Sequence, residues 1–239
     1  MRLVRFLSTA GICSRRSAVE LIQNNHVSVN KKTCTEPAYV VKPTDVVRYK
    51  GKEIKVLTNF IYLMLNKPLG VICAASTPHD ETTVIDLVKE AYPEARLYPI
   101  GRLDKDTSGL ILLTNDGDLA FKISHPKFNI TKKYRVTLDH ALDTTDKNAL
   151  LDGIYLEDGK ASFDEIYMNT NKKNTVDVEL HSGKNRIIRR MFNECDYKII
   201  SLHRFSIGTI RLEHLRPGEH RRLGEDEIEE LKEFTSQDD

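Results

Sequence analysis

The stretch IGRLDKDTSGLILLTNDG, residues 100–117, constrains this chain more than any other, because it holds Leu110, Ile111, Leu112 and Leu113 in unbroken succession. An apolar run of that length between turn formers reads as a strand buried on both faces, so the fold must wrap a core around it. The loop in front carries Asp104, Asp106 and Ser108 at alternate positions with Gly109 next, which is how an EF-hand calcium loop opens. The remainder of that pattern is missing. Asn115 stands where the loop's closing bidentate Glu belongs, Pro99 and Gly101 do not suit the preceding helix, and the apolar run would carry half the loop into the core. No metal is expected here. By spacing alone two readings stay open: turn formers with solvated charge, or a loop on a rigid strand that presents Arg102, Asp104, Asp106, Thr107 and Ser108 for chemistry.

A chain of 239 residues, 40% hydrophobic and 30% charged, can bury a core, as one large domain or as a small domain joined to a medium one. The start, MRLVRFLSTAG, has no long apolar run, and no other stretch approaches a membrane-spanning length, so a cytoplasmic protein that does not enter membranes is expected. Cys13, Cys34, Cys73 and Cys195 lack C-x-x-C spacing and read as reduced thiols. The eight histidines show no metal spacing.

The net charge of +1 conceals an asymmetry. Residues 1–58 hold eleven Lys and Arg against four Asp and Glu, a net +7, whereas residues 224–239 hold one Lys against eight acids, a net −7. A basic front end suits a polyanion such as RNA. The acidic end reads as a solvated last helix. Leu3, Phe6, Leu7 and Ala10 recur with helical spacing, and Gly11 can close that helix. A second helix is expected to start at Ser14 or Ser17, the latter forming a capping box with Glu20, and to bury Ala18, Val19, Leu21 and Ile22. HVSVN and VVRY alternate like strands.

The run RFLSTAGICSRRSAVELIQNNHVSVN resembles the alpha-L RNA-binding domain, the module also found in ribosomal protein S-four and tyrosyl-tRNA synthetases. The resemblance implies RNA contacts at Arg15, Arg16 and Asn30; a solvated helix face is the alternative for the two arginines. Two glycines customary in that domain are Asn25 and Lys31 in this chain.

From Phe60 the character changes. The boundary is expected between Lys52 and Asn59, giving domains 1–58 and 59–239. FIYLMLNKPLG reads as a strand closed by a turn, VIDLVKEAY as a short helix ended by Pro93, Asp116-Gly117 as a hairpin turn, and HRFSIGTIRLEHLRPGEHRR as a terminal strand pair with a basic rim.

Residues 101–117 match G-R-L-D-x-x-T-S-G-L-x-L-L-T-N-D-G, and the chain is identified by this run as resembling the ribosomal pseudouridine synthases of the small-subunit and large-subunit family. Asn66, Lys67, Pro68 and Gly70 match N-K-P-x-G, Lys132 and Tyr134 match K-x-Y, and GKNRIIRRM from Gly183 matches a late basic motif, so the resemblance spans about Arg2 to Leu223. It implies an α+β fold: a small RNA-binding domain, then a catalytic domain on a mixed, mostly antiparallel sheet flanked by helices. It also implies isomerisation of uridine to pseudouridine in ribosomal RNA without cofactor or metal, by base flipping and an Asp nucleophile. Asp104 is implied as that nucleophile, attacking either the ribose or the base, and Arg189 as its salt-bridge partner. Tyr134 is implied as the platform under the flipped base, with a part in proton removal. Arg102 would prop the gap left in the RNA, Lys67 would support the site wall, and Lys184, Arg186 and Arg190 would contact phosphates or, in the plainer reading, form a basic turn. Asp106 is given loop-shaping only.

Ribosomal RNA or an assembling subunit is the expected partner of a monomeric enzyme. The large subunit is expected from the GKNRIIRRM and DGDLA runs; a small-subunit substrate, or a non-catalytic assembly factor, is the alternative.

Overall fold

In the computed structural model, which describes residues 1–77 and 80–235, the apolar run is the middle of a strand with no exposed residue among Gly109–Thr114. By Cα positions the chain divides into two compact units. One is Met1–Ile61 with Glu94–Arg96 and Asn115–Gly117; the other comprises the remaining residues.

The first unit contains helices α1 (Leu3–Thr9) and α2 (Arg15–Gln23) and short strands β1 (Val27–Val29), β2 (Lys32–Thr33), β3 (Val47–Tyr49) and β4 (Lys52–Glu53). The strands pair antiparallel in the order β2-β1-β3-β4. Leu3, Leu7, Ala18, Ile22, Val27 and Val47 make its core. Ser14, not Ser17, caps α2: its side chain accepts from the Ser17 N–H at 3.0 Å, so Ser17 is a donor to the cap rather than the cap itself. Asn25 and Lys31 both take the left-handed conformation, with φ of 63° and 67°. Asn30 does so too, at 51°, and Asn30-Lys31 is the two-residue turn joining β1 to β2, where both central residues need positive φ. The expected linker from Lys52 begins with β4, since Arg48 and Tyr49 pair with Glu53 and Lys52.

The second unit runs through β5 (Tyr62–Lys67), β6 (Tyr98–Ile100), β7 (Ser108–Thr114), α3 (Gly117–Ser124), β8 (Lys132–Leu138), α4 (Thr144–Asp152), β9 (Ile154–Leu156), β10 (Gly159–Ala161), β11 (Glu165–Met168) and β12 (Thr175–Leu180). It ends with α5 (Ile187–Glu194), β13 (Ile199–Ile207), β14 (Ile210–Arg211), β15 (His220–Arg222) and α6 (Glu225–Phe234). Its main sheet follows the order β11-β12-β8-β13-β7-β5-β15, with β14 on β13 and β6 on β7; β13–β7 is its parallel pair. The mixed, mostly antiparallel sheet with flanking helices is the α+β architecture that the resemblance implied.

Three local expectations are corrected. VIDLVKEAY forms turns instead of a regular helix, with isolated bonds from Lys89 N–H to the Ile85 carbonyl and Tyr92 N–H to the Val88 carbonyl. Thr83 and Asp86 cap its start reciprocally, but nine residues before a proline are too few to offset helix nucleation. Asp116-Gly117 joins a strand to a helix, since α3 starts at Gly117 and buries Leu119, Ala120 and Ile123. The stretch from His203 pairs with itself only through β13 and β14; β15 crosses to the far side and pairs with β5. The acidic end forms α6 as expected, its last four residues lying outside the described residues. No helix among the described residues is long and apolar enough to cross a membrane.

Candidate active site

The loop from Gly101 to Thr107 enters β7 and is fastened from beneath. The Thr107 N–H closes a turn onto the Asp104 carbonyl at 3.0 Å, and the Gly70 N–H donates to the Lys105 carbonyl at 2.9 Å. Lys67, at the end of β5, is fully buried and donates its Nζ to the Thr107 carbonyl at 2.7 Å and to the Pro68 carbonyl at 2.9 Å. Burial pushes the Lys67 ammonium below its ordinary range, against the opposing pull of Cys73, Asp106 and Asp104. Lys67 therefore takes the supporting position expected of it, as a strut under the loop.

Asp104 stands above that strut with its side chain 36% exposed, beside Arg186, whose Nη1 lies 3.4 Å from its Oδ2. Arg186 also reaches Asp106 at 3.2 Å, and Arg189 reaches Asp106 twice, at its carboxylate at 3.2 Å and at its backbone carbonyl at 2.8 Å. Burial works to raise the Asp106 carboxyl, but the Arg186 hydrogen bonds and the Arg189 charge hold it below the usual carboxylate range. This corrects the expected pairing. Arg189 was expected on Asp104 and Arg186 on phosphate; the structure puts Arg186 on both carboxylates and Arg189 on Asp106. Residues three apart share a helix face, so motif spacing does not decide which of the two leans over the loop. Backbone conformation does. Arg186 precedes α5 in the left-handed region, φ 47° and ψ 32°, an uncommon conformation for a non-glycine residue and one that recurs at functional sites.

Behind Asp104 opens a cavity of about 240 Å³, lined among others by Arg102, Asp104, Lys132, Tyr134, Arg189 and Arg204. Tyr134 and Lys132 alternate on β8 and so face the same side of the sheet. Tyr134 is 9% exposed, which seats its ring in the wall with its hydroxyl toward Arg204. Burial, helped by the Arg204 charge, pushes Lys132 down to about 8. Arg189 keeps a buried Nε without a hydrogen-bond partner. Arg204 escaped the sequence reading, although the alternation in LHRFSI places it on the buried face with Leu202 and Ser206. An arginine on the inward side of an alternating strand was the available signal.

The remaining candidates are dispersed. Arg102 is exposed at the cavity rim. Arg15 and Arg16 are exposed in the first turn of α2. Lys184, another lining residue, donates to the Asp158 carbonyl at 2.8 Å, and Arg190 forks onto the Asp158 carboxylate at 2.8 and 3.1 Å, so both clamp the turn between β9 and β10. Asn30 accepts from the Val46 N–H at 2.9 Å and donates to Asp45 at 2.8 Å, which gives its amide a structural task. An acidic group at the mouth of a partly apolar cavity, with a tyrosine in its wall and cations around it, suits covalent or electrostatic work on a planar group drawn from a polyanion.

Known proteins were compared with the chain. A family model described as RNA pseudouridylate synthase matches residues 61–194, and one described as S4 domain matches residues 1–47. An RNA pseudouridine synthase of Aquifex aeolicus is 34% identical over 233 residues, covering 97% of this chain and 96% of that protein. The ribosomal large subunit pseudouridine synthase B of Bacillus subtilis is 37% identical over 235 residues, covering 97% of this chain and 95% of that protein. A solved pseudouridylate synthase structure, 30% identical, superposes with a TM-score of 0.71 and covers 97% of this chain and 99% of that one.

Proposed function

This chain belongs to the RNA pseudouridylate synthase family, which isomerises uridine in RNA, and we propose that its substrate is a specific uridine of large-subunit ribosomal RNA. The observation that carries the mechanistic reading is the seating of Asp104 at the mouth of a cavity with Tyr134 in its wall. The uridine flips out of its stack into this cavity, and the base rests against Tyr134. The N1–C1′ bond breaks, the base turns, the C5–C1′ bond forms, and the proton on C5 leaves while N1 gains one, so the product is an isomer. Asp104 is the carboxylate that forms the covalent link, at the ribose or the base, and splits one hard step into easier ones.

Arg186 and Arg189 act together through the Asp104–Asp106 loop, Arg186 by direct pairing and Arg189 by fixing Asp106. Tyr134 takes part in removing the C5 proton. Arg102 at the rim fills the gap in the RNA. Arg15 and Arg16, on the exposed start of their helix, and Lys184 and Arg190 add phosphate contacts; Asn30 shapes the turn beside them. The large subunit is favoured by the Bacillus relative.

The test is primer-extension mapping of carbodiimide-stable pseudouridine in small- and large-subunit RNA incubated with wild type or Asp104→Asn. We expect one wild-type stop, in large-subunit RNA, and a rate at least about 10³-fold lower in the variant. A stop in small-subunit RNA would overturn the substrate, and equal modification by both proteins would overturn the role of Asp104.

A further inference from the structure

Arg204 is 2% exposed, lines the cavity, and has no place in the mechanism above. In register it is the Cα partner of Gly109 on β7 and of Tyr134 on β8, so it lies between the strand that continues the Asp104 loop and the strand that carries the tyrosine. An irregularity in β13 falls between Arg204 and Ser206, and such bulges beside active sites re-aim a side chain. Its Nε donates to the Leu110 carbonyl at 2.8 Å, its Nη1 lies 3.4 Å from the Tyr134 hydroxyl, and its guanidinium carbon is 5.9 Å from that ring's centroid. Nη2 is buried without a hydrogen-bond partner. No carboxylate among the described residues forms an ion pair with it.

A buried cation without a counter-ion is destabilising, and a neutral side chain would fill the same volume at less cost. A group kept against that cost beside a reaction site points to electrostatic work. Resting on the reading above, we propose that Arg204 is a positioning residue for the isomerisation. It holds the Tyr134 hydroxyl in fixed relation to the Asp104 loop and keeps the cavity wall positive. When the N1–C1′ bond breaks, the base takes the electron pair, so a positive wall favours the detached uracil over the bonded one.

The test uses the full chain as Arg204→Met, Arg204→Lys, Tyr134→Phe and the Arg204→Met/Tyr134→Phe double variant. Single-turnover rates of pseudouridine formation are measured on the RNA that wild type modifies, alongside RNA affinity and melting temperature. Arg204→Met should slow turnover on the order of 10²-fold with RNA affinity unchanged, as expected for loss of one preorganised donor. Arg204→Lys should recover about tenfold of that loss, because it restores the charge but not the planar fork. The double variant should be no more than a few-fold slower than the slower single variant, since both act on one hydroxyl.

A folded Arg204→Met protein with wild-type turnover would overturn the proposal, as would full multiplication of the two losses, or a lysine variant no faster than the methionine one. Should Arg204→Met not fold, the same cycle run with Arg204→Lys decides by the same additivity. Wild type that modifies no RNA would instead refute the activity itself.

Discussion

The loop that bears Asp104 and the ground beneath it hold charge in opposite ways. Above, Asp104, Asp106, Arg186 and Arg189 share ion pairs of 3.2 to 3.4 Å on side chains between 17% and 51% exposed. Below and behind, Lys67, Lys132 and Arg204 donate to the backbone carbonyls of Thr107, Ile130 and Leu110 at 2.7 to 2.8 Å. Exposed pairs contribute about 0–1 kcal/mol, so the upper network is free to be arranged for chemistry. The lower cations are positioned by backbone, and moving them moves strands. Substitutions above should therefore change rate with little change in stability, and those below should change both.

The largest expected break in that contrast lies at Gly109. Its φ is +107°, and an added Cβ would come within 2.1 Å of the Arg204 carbonyl oxygen, a backbone atom that cannot swing aside. Gly109→Ala should cost about 3 kcal/mol or more and abolish turnover, because β7 and β13 must separate at the point where Arg204 is held. Urea unfolding with wild-type stability would show that the two strands do not approach this closely.

A paired substitution sharpens the contrast at smaller scale. Lys67→Met keeps the apolar stem but leaves the Thr107 and Pro68 carbonyls without their donor, for a loss of about 1–3 kcal/mol. Asp106→Asn removes a carboxylate 51% exposed and should stay within about 1 kcal/mol of wild type. Equal destabilisation of the two in one set of denaturation curves would erase the distinction between the layers.

Which of these features were legible in the sequence follows from how local their causes are. The buried strand 110–113, the capped second helix and the left-handed Asn25 answer to neighbours a few residues away. VIDLVKEAY and Asp116-Gly117 were misjudged because the outcome depended on what followed: a proline too soon for a helix, and an apolar helical spacing where a second hairpin strand was expected. The site divides along the same line. Asp104 and Tyr134 stood out within motifs, whereas the exchange of partners between Arg186 and Arg189 turns on one backbone conformation, and Arg204 owes its position to two strands, β7 and β8, about 70 to 95 residues earlier. Pairings that close over such distances leave only a weak local trace, here an arginine on the wrong face of an alternating strand.

The smallest predicted effect tests whether the lower layer is as dry as its hydrogen bonds imply. Lys132 is lowered from an ordinary 10.5 to about 8, by burial first and by the Arg204 charge second. Between those values the unfolded chain keeps a proton that the folded chain has released, so this residue makes the unfolding free energy rise as pH climbs from about 8 to about 10.5, and adds no slope below about 8, where both states are protonated. Lys132→Met should lack that rise. Melting temperatures of both proteins from pH 7 to 10.5 cancel the titrations they share, leaving a wild-type-minus-variant difference that should climb through this window. A flat difference would mean that Lys132 reaches water, and that the layer beneath the loop is governed by the same solvation as the pairs above it.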